Sequence, residues 1–184
     1  MGDRGEVPRV RRAPARPRVV AEPRAGLLRS CLAQFATGVT VVSFAGPAGP
    51  RGLTVNAFTS VSLDPPLVLV GIAKSAAAHG LLEGAPFCVN VLGAEQEALA
   101  RRFAGIVGRG LPEWAAPCEH GVPRLEGALA FLECMPWRVY DAGDHSLFLG
   151  EVVHFSHRRG TALVYLSHRF TSVAEPELGV EYLI

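Results

Sequence analysis

The sequence predicts a mainly β protein, a mostly antiparallel barrel into which a few helices are inserted. Two observations support this fold class. Short runs rich in β-branched residues cluster at both ends of the folded region, separated by turns of Gly, Pro and Asp. Strands and helices do not alternate throughout, as they would in a doubly wound parallel sheet. A Rossmann-like domain is therefore disfavoured.

The first half of the domain mixes helices and strands. Helices are predicted where apolar residues recur at helical spacing or strong helix formers accumulate, at 25–36, 76–83 and 95–104. Strands are predicted between them, at 39–44, 52–61, 67–72 and 87–92. The second half contains strands alone, joined by turns, at 125–133, 137–140, 145–156, 162–166 and 169–173.

Composition predicts one domain preceded by an arm. The 184 residues are 49% hydrophobic, which is enough for the core of a single domain. Residues 1–24 carry seven arginines and four prolines without hydrophobic periodicity, which predicts a disordered arm ahead of a domain at 25–184. An RNA-binding arm is the less favoured alternative.

Charge and hydropathy point away from nucleic acid and membranes. The net charge of +1 provides no large field for a polyanion. No apolar run approaches the ~20 residues that cross a bilayer, so a soluble, cytoplasmic protein is expected. The four cysteines form no Cys-x-x-Cys pair and predict reduced, buried thiols. The histidines show no ligand-like spacing to one another or to the cysteines, so no metal site is expected.

Four segments contain candidate site residues. On the strand at 52–61, Thr54 and Asn56 share one side, which by itself also suits a solvated edge strand. Lys74, the sole lysine, and Ser75 precede a predicted helix whose free N–H groups would favour an anion, although Ser75 could simply cap that helix. Arg102 ends a helix, where arginines often only complement the helix dipole. His145 opens a strand after a tight turn, at a barrel rim where a side chain could face a ligand or be merely structural.

Five ordered segments together resemble the short flavin reductases, the FMN-binding split-barrel proteins that serve as reductase components of two-component flavin-dependent monooxygenases. The resemblance extends from about residue 28 to residue 173. The segments are FATGVTVV at 35–42, GLTVNAFTSVS at 52–62 followed by DPP at 64–66, FCVNVL at 87–92, ARRF at 100–103 and GDHSLFLGEV at 143–152.

The resemblance implies a homodimeric split β-barrel that binds FMN or FAD, oxidises NADH or NADPH, and releases reduced flavin to a separate monooxygenase. It also implies the cofactor-binding set Thr54, Asn56, Ala57, Phe58, Thr59, Ser62, Lys74, Ser75, Arg102, Phe103, His145 and Arg169. Within this set, 56–59 would lie along the flavin ring and ribityl chain, and Lys74, Ser75 and Arg102 near the phosphate. His145 would be the catalytic residue, beside the flavin where the nicotinamide enters.

The segment after Lys74 departs from the family pattern. This turn is usually rich in Ser and Thr, and here it reads Ala76, Ala77 and Ala78. Our hypothesis is that the lost hydroxyl contacts relax a preference for FMN and admit FAD. Because the same fold also serves proteins without reductase activity, two alternatives stay open: a non-catalytic flavin-binding or flavin-carrier protein, and an enzyme acting through its own bound flavin.

Overall fold

A computed structural model describes residues 22–106 and 112–174. Three α-helices lie in these ranges: α1 (Glu22–Leu32), α2 (His79–Leu82) and α3 (Glu97–Phe103), the last preceded by a 3-10 turn at Ala94–Gln96. The ten strands are β1 (Thr37–Gly38), β2 (Thr40–Gly46), β3 (Gly49–Val55), β4 (Phe58–Leu63), β5 (Pro66–Ala73), β6 (Phe87–Val91), β7 (Ala130–Ala142), β8 (His145–His157), β9 (Ala162–Leu166) and β10 (Arg169–Val173).

The strands form two antiparallel sheets. Seven strands pair in the order β3-β2-β6-β7-β8-β5-β4, and three pair in the order β1-β9-β10. Every strand pair is antiparallel. The predicted fold class, mainly β with helical insertions, is confirmed.

The core lies around β2, β5 and β6. Val41, Val42 and Phe44 on β2 are buried, and they belong to two apolar clusters on the two faces of the strand. The buried side chain of Asn90 is paired: its amide donates to the Val41 carbonyl at 2.9 Å and accepts from the Leu125 N–H at 2.8 Å. This pairing satisfies groups whose burial would otherwise cost about 1–3 kcal/mol each.

Two element predictions were wrong. The single strand expected over 52–61 is two strands, because Asn56 and Ala57 leave the ladder: β3 pairs with β2, whereas β4 pairs with β5. In place of the two strands expected at 125–133 and 137–140 there is one strand, β7, which begins only at Ala130 and continues through two bulges. A strand may change partner at a bend without any strong signal in its own sequence.

Two helix predictions were also corrected. The helix expected over 76–83 is only one turn, α2, with Ala78 at its N-cap position. Ser75 therefore neither caps this helix nor lies at its N-terminus. The helix expected over 25–36 begins at Glu22 and ends at Leu32, and its apolar residues Leu27 and Leu28 are exposed. The remainder of the predicted arm, residues 1–21, lies outside the described residues.

The cysteine prediction holds for three of four residues. All four thiols are free, and Cys88, Cys118 and Cys134 are buried, but Cys31 on α1 is exposed. Within residues 22–106 and 112–174, no helix has the length and apolar character needed to cross a membrane.

Candidate active site

The break between β3 and β4 anchors the candidate site. Thr54, near the end of β3, donates its hydroxyl to the Ala100 carbonyl of α3 at 2.7 Å. Ala57 accepts the Gly71 N–H of β5 at 2.8 Å. Asn56 lies between these two anchors and is exposed. The junction is thus held on both sides, while Asn56 remains outside the ladders of both strands.

A cleft of 280 Å³ opens beside this junction. Thr54 and Asn56 form one wall, and the end of α3 forms another. The third wall is the β9–β10 hairpin, with Tyr165 and Phe170 packed edge to face at a centroid distance of 5.3 Å. The complete lining is Val39, Thr54, Asn56, Arg101, Ala104, Ile106, Tyr165, His168 and Phe170.

An arginine outside the predicted set completes the rim of this cleft. The Arg101 guanidinium carbon lies 5.0 Å from the centroid of the Phe170 ring, and Arg101 also pairs with Glu97 at 2.6 Å, one turn earlier in α3. The stacked guanidinium places a permanent positive charge beside the aromatic wall.

Sequence reasoning missed the hairpin wall. Tyr165, His168 and Phe170 enter the cleft because Ser167 and His168 adopt positive φ angles of 49° and 62°, which turn the chain tightly between β9 and β10. Two consecutive positive φ angles are typical of a two-residue hairpin turn. The usual Asn-Gly or Asp-Gly signal is absent here. The two strands were therefore predicted, but the hairpin's place in the cleft wall was not.

The second group of candidate residues lies at the β7–β8 turn. Lys74 pairs with Asp141 and donates to the Gly143 carbonyl at 2.6 Å. Its backbone N–H donates to the Asp144 carbonyl at 2.9 Å. Lys74 therefore holds the turn that precedes β8 in place. For its ammonium group to contact a phosphate, the ion pair with Asp141 must open.

His145 opens β8 directly after this turn. Its Nδ1 lies 2.8 Å from Oδ1 of Asp144, and its backbone pairs with Ala73 of β5. This contact with His145 is the main reason that the pKa of Asp144 is lowered from its usual value. Ala73 is two residues, or roughly 7 Å, along β5 from Gly71, which bonds the β3–β4 junction. His145 and Asn56 consequently lie at the same end of the strands, although His145 does not line the cleft of 280 Å³.

The other predicted residues are divided between this end of the strands and more distant places. Arg102 and Phe103 line a second hollow, which shares Ile106 with the cleft, and there the Phe103 ring meets Trp114 at 6.0 Å and covers Gly52. Ser62 lies at the opposite end of β4 from Asn56 and accepts the Asp64 N–H at 3.2 Å. Thr59 and Arg169 are exposed at β4 and β10, and Phe58 packs against the core.

The alanines after Lys74 have a structural role. Ala76 and Ala78 are partly buried and pack against the core cluster that contains Leu82 and Phe148. Their methyl groups thus fill space under the turn, and neither residue offers a hydroxyl to a ligand. Ser75 remains exposed beside Lys74.

The residues of the cleft suit a flavin. A flat aromatic ring packs favourably against the rings of Tyr165 and Phe170, and the backbone of Asn56, outside both ladders, faces the same cleft. Its volume of 280 Å³ is near the lower end of the ~300–1,000 Å³ usual for small-molecule sites. The cleft therefore suits the ring system, with the phosphate end lying outside it.

Fold and cleft together define an antiparallel split barrel with a site for a flat aromatic cofactor. The profile of the flavin reductase like domain matches residues 32–174. The chain belongs to this family, and the predicted resemblance is confirmed. It is an NAD(P)H-dependent flavin reductase.

Two relatives and one solved structure illustrate this membership. The chain is 47% identical over 133 residues to an NADH-dependent FAD reductase of Streptomyces globisporus, covering 68% of this chain and 72% of the relative. It is 45% identical over 145 residues to the FMN reductase (NADH) SmoA of Agrobacterium fabrum, covering 77% and 82%. The structure of the Streptomyces globisporus NADH:FAD oxidoreductase SgcE6 with NAD and FAD fragments superposes with a TM-score of 0.77 at 39% identity, covering 88% of this chain and 99% of that one.

Proposed function

We propose that this chain uses NADH to reduce FAD or FMN held against the β9–β10 hairpin and releases the reduced flavin to a separate monooxygenase. The cleft between the β3–β4 junction and Tyr165 and Phe170 is the observation that carries the proposal. Hydride transfer from nicotinamide to flavin is the chemistry that the two cofactors would supply when bound. Both relatives described above are named for NADH, which favours NADH over NADPH.

In this proposal the chain provides binding and orientation. Tyr165 and Phe170 hold one face of the flavin ring, and Asn56 contributes backbone groups at its edge. His145, oriented by Asp144, directs the nicotinamide toward the exposed face from the neighbouring turn. Lys74 keeps this turn in place through Asp141. Holding the two rings in register accounts for much of the acceleration that such a site provides.

Release of reduced flavin is supported by relatives that work with oxygenases. The reductase component of 4-hydroxyphenylacetate 3-monooxygenase from Thermus thermophilus is 37% identical to this chain over 150 residues. We infer the same division of labour here. The open, shallow cleft supports it, since a ring that is only partly enclosed exchanges more readily than a buried one.

The central experiment follows NADH absorbance in air with a large excess of free flavin. A reductase consumes many equivalents of NADH per chain, with either FAD or FMN. Consumption that stops after about one equivalent per chain would instead identify a flavin carrier. Turnover that persists without free flavin would identify an enzyme using a tightly bound one.

We further propose that two copies form a homodimer. Large apolar side chains are exposed in the single chain on α1, on the residues just after it, and on β4, β7 and β8. Leu63 at the end of β4 is 93% accessible, and Phe35 after α1 is 77% accessible. Exposure of this many large apolar side chains supports an interface at this surface. A second copy would also enclose the parts of a flavin that extend beyond the cleft.

Sedimentation equilibrium tests the dimer. A species of twice 19.6 kDa is expected for the native chain. Leu63→Asp should shift it toward the monomer, because a carboxylate would be buried in the interface, whereas Ala98→Asp on the exposed side of α3 should not. A native chain that sediments at 19.6 kDa at micromolar concentration would exclude the proposal.

A further inference from the structure

The end of the β7–β8 hairpin remote from His145 contains a cluster of metal-ligating side chains. A thiol, a carboxylate oxygen and an imidazole nitrogen, from Cys118, Glu133 and His154, all lie within 4.8 Å of one another. Glu133 and His154 face each other across the ladder, nine residues along β7 from the pair Ala142 and His145. That separation is roughly 30 Å, so the cluster is remote from the turn before His145. None of its three residues lines the flavin cleft.

The local structure brings the three side chains together. Directly opposed residues of an antiparallel pair project from the same face, which places Glu133 beside His154. A bulge follows at Glu133 and Cys134 and bends the strand there. Cys118 is held over this face by a turn in which its N–H donates to the Val122 carbonyl and its carbonyl accepts the Gly121 N–H. Gly121 has a φ of 74°, which the turn requires.

The Glu133 carboxylate is only half satisfied. Its side chain is 0% exposed, and Oε1 accepts the His120 N–H at 3.0 Å. Oε2 is buried without a hydrogen-bond partner, and His154 Nδ1 is 3.8 Å away, beyond hydrogen-bond distance. A buried carboxylate oxygen with no donor is costly unless a cation meets it.

The other two groups are arranged to complete a site. The His154 ring stands edge to face on Phe131 at 5.3 Å, which restrains the direction of its imidazole. The Cys118 side chain is buried, at 7% exposure, and its thiol lies beside the Glu133 carboxylate. His120, whose ring Nδ1 lies 3.4 Å from Oε1 of Glu133, is at the rim.

We propose that Cys118, Glu133 and His154 bind a Zn²⁺ ion. Thiolate, imidazole and carboxylate are the ligand types of protein zinc sites, at ~2.0–2.3 Å from the metal. The present spacing leaves room for the ion and requires a small closure of the three side chains around it. The His120 ring, close to Glu133, would offer a fourth ligand that completes the tetrahedron.

The ion would have a structural role. Cys118 belongs to the segment 112–129, which precedes β7 and lies outside the helices and strands, whereas Glu133 and His154 belong to the central sheet. A metal bridging them would fasten this segment to the sheet, as structural zinc commonly does. The site would therefore contribute to stability without entering flavin reduction.

The test is metal binding by the purified full chain after removal of metals with EDTA. Titration with Zn²⁺, followed by desalting and elemental analysis, should give one ion per chain and raise the thermal unfolding midpoint. Substitution with Co²⁺ should give the absorbance of a thiolate-bound, tetrahedral ion. Cys118→Ser, Glu133→Gln and His154→Ala should each weaken binding at least tenfold.

Matched controls separate this site from adventitious binding. Cys31→Ser and His157→Ala alter an exposed thiol and an exposed histidine outside the cluster and should leave binding unchanged. Glu133→Gln is close in shape and can keep the contact with the His120 N–H, and His154 is exposed, so these variants should fold. No stoichiometric Zn²⁺, or binding that survives Cys118→Ser and Glu133→Gln, would overturn the proposal.

Discussion

The cleft wall at the β9–β10 hairpin and the turn at β7–β8 are the two parts of the proposed active site, and they are built in different ways. The cleft is assembled from residues far apart in the chain, Asn56 and Phe170 among them, and its walls are aromatic rings and backbone. The turn is assembled largely from neighbours in sequence, Asp141 to His145, joined by the ion pair to Lys74. The comparison suggests that the cleft determines flavin affinity and the turn determines the rate of hydride transfer.

The largest effect is expected from His145→Ala. If the turn governs rate, kcat with NADH should fall about tenfold to a hundredfold, because a misplaced nicotinamide loses the near-attack geometry. The flavin Kd should change far less. Steady-state kinetics and flavin titration measure the two quantities, with the exposed His157→Ala as control. Equal losses in rate and flavin affinity would show that His145 is merely structural.

The reverse pattern is expected from Phe170→Ala. Loss of the ring removes a wall of the cleft and its packing with Tyr165, so the flavin Kd should rise about tenfold, equivalent to ~1.4 kcal/mol. At saturating flavin, kcat should stay within about threefold of the native value. Thr171→Ala, an exposed neighbour on the same strand, is the control. A large loss of kcat with unchanged Kd would contradict the assignment of flavin affinity to the cleft and of rate to the turn.

A smaller effect should reveal what Lys74 does. If it holds the turn, Lys74→Met and Asp141→Asn should each lower kcat only a few-fold, since exposed ion pairs contribute ~0–1 kcal/mol. The double variant should add little, because both substitutions break the same ion pair. If Lys74 instead binds phosphate, Lys74→Met alone should weaken FMN and FAD. Titration of both flavins also tests the hypothesis that the alanines admit FAD: a clear FMN preference undiminished by Lys74→Met would contradict it.

The smallest effect concerns pH. The pKa of Asp144 is lowered below its ordinary 3.8, chiefly by the contact with His145. A lowered folded-state pKa stabilises the fold above the unfolded-state value, and that stability is lost as pH falls through the folded value. The difference in unfolding midpoint between the native chain and Asp144→Asn should thus shrink as pH falls below about 4. A difference that did not shrink in that range would contradict this linkage.

Sequence reasoning succeeded where signals are local. The strands at Ala162–Leu166 and Arg169–Val173 have the predicted bounds, and the turn before His145 lies where its Gly and Asp residues predict. It failed where packing overrides local preference. Nothing in 52–61 marks Asn56 as the point where the chain changes partner, and Ser75 was assigned to a helix that begins only at His79.

The site shows the same division. His145 and Lys74 were identified from their own segments, and the structure joins them through the β7–β8 turn. Tyr165, His168 and Phe170 were missed because their role depends on which sheet faces the β3–β4 junction. The sequence placement of Arg102, Phe103 and Ser62 in the flavin site stays a prediction, since none of them lines this cleft in the single chain.

By itself the sequence determined the fold class, the family, and the order of most strands, because β-branched runs, turn residues and the five matching segments are read along the chain. Only the tertiary structure decided which residues share a cleft, which apolar side chains remain exposed, and that Cys118, Glu133 and His154 meet. Residues so distant in sequence become neighbours through strand pairing and register, and local preference does not specify the partner of a strand.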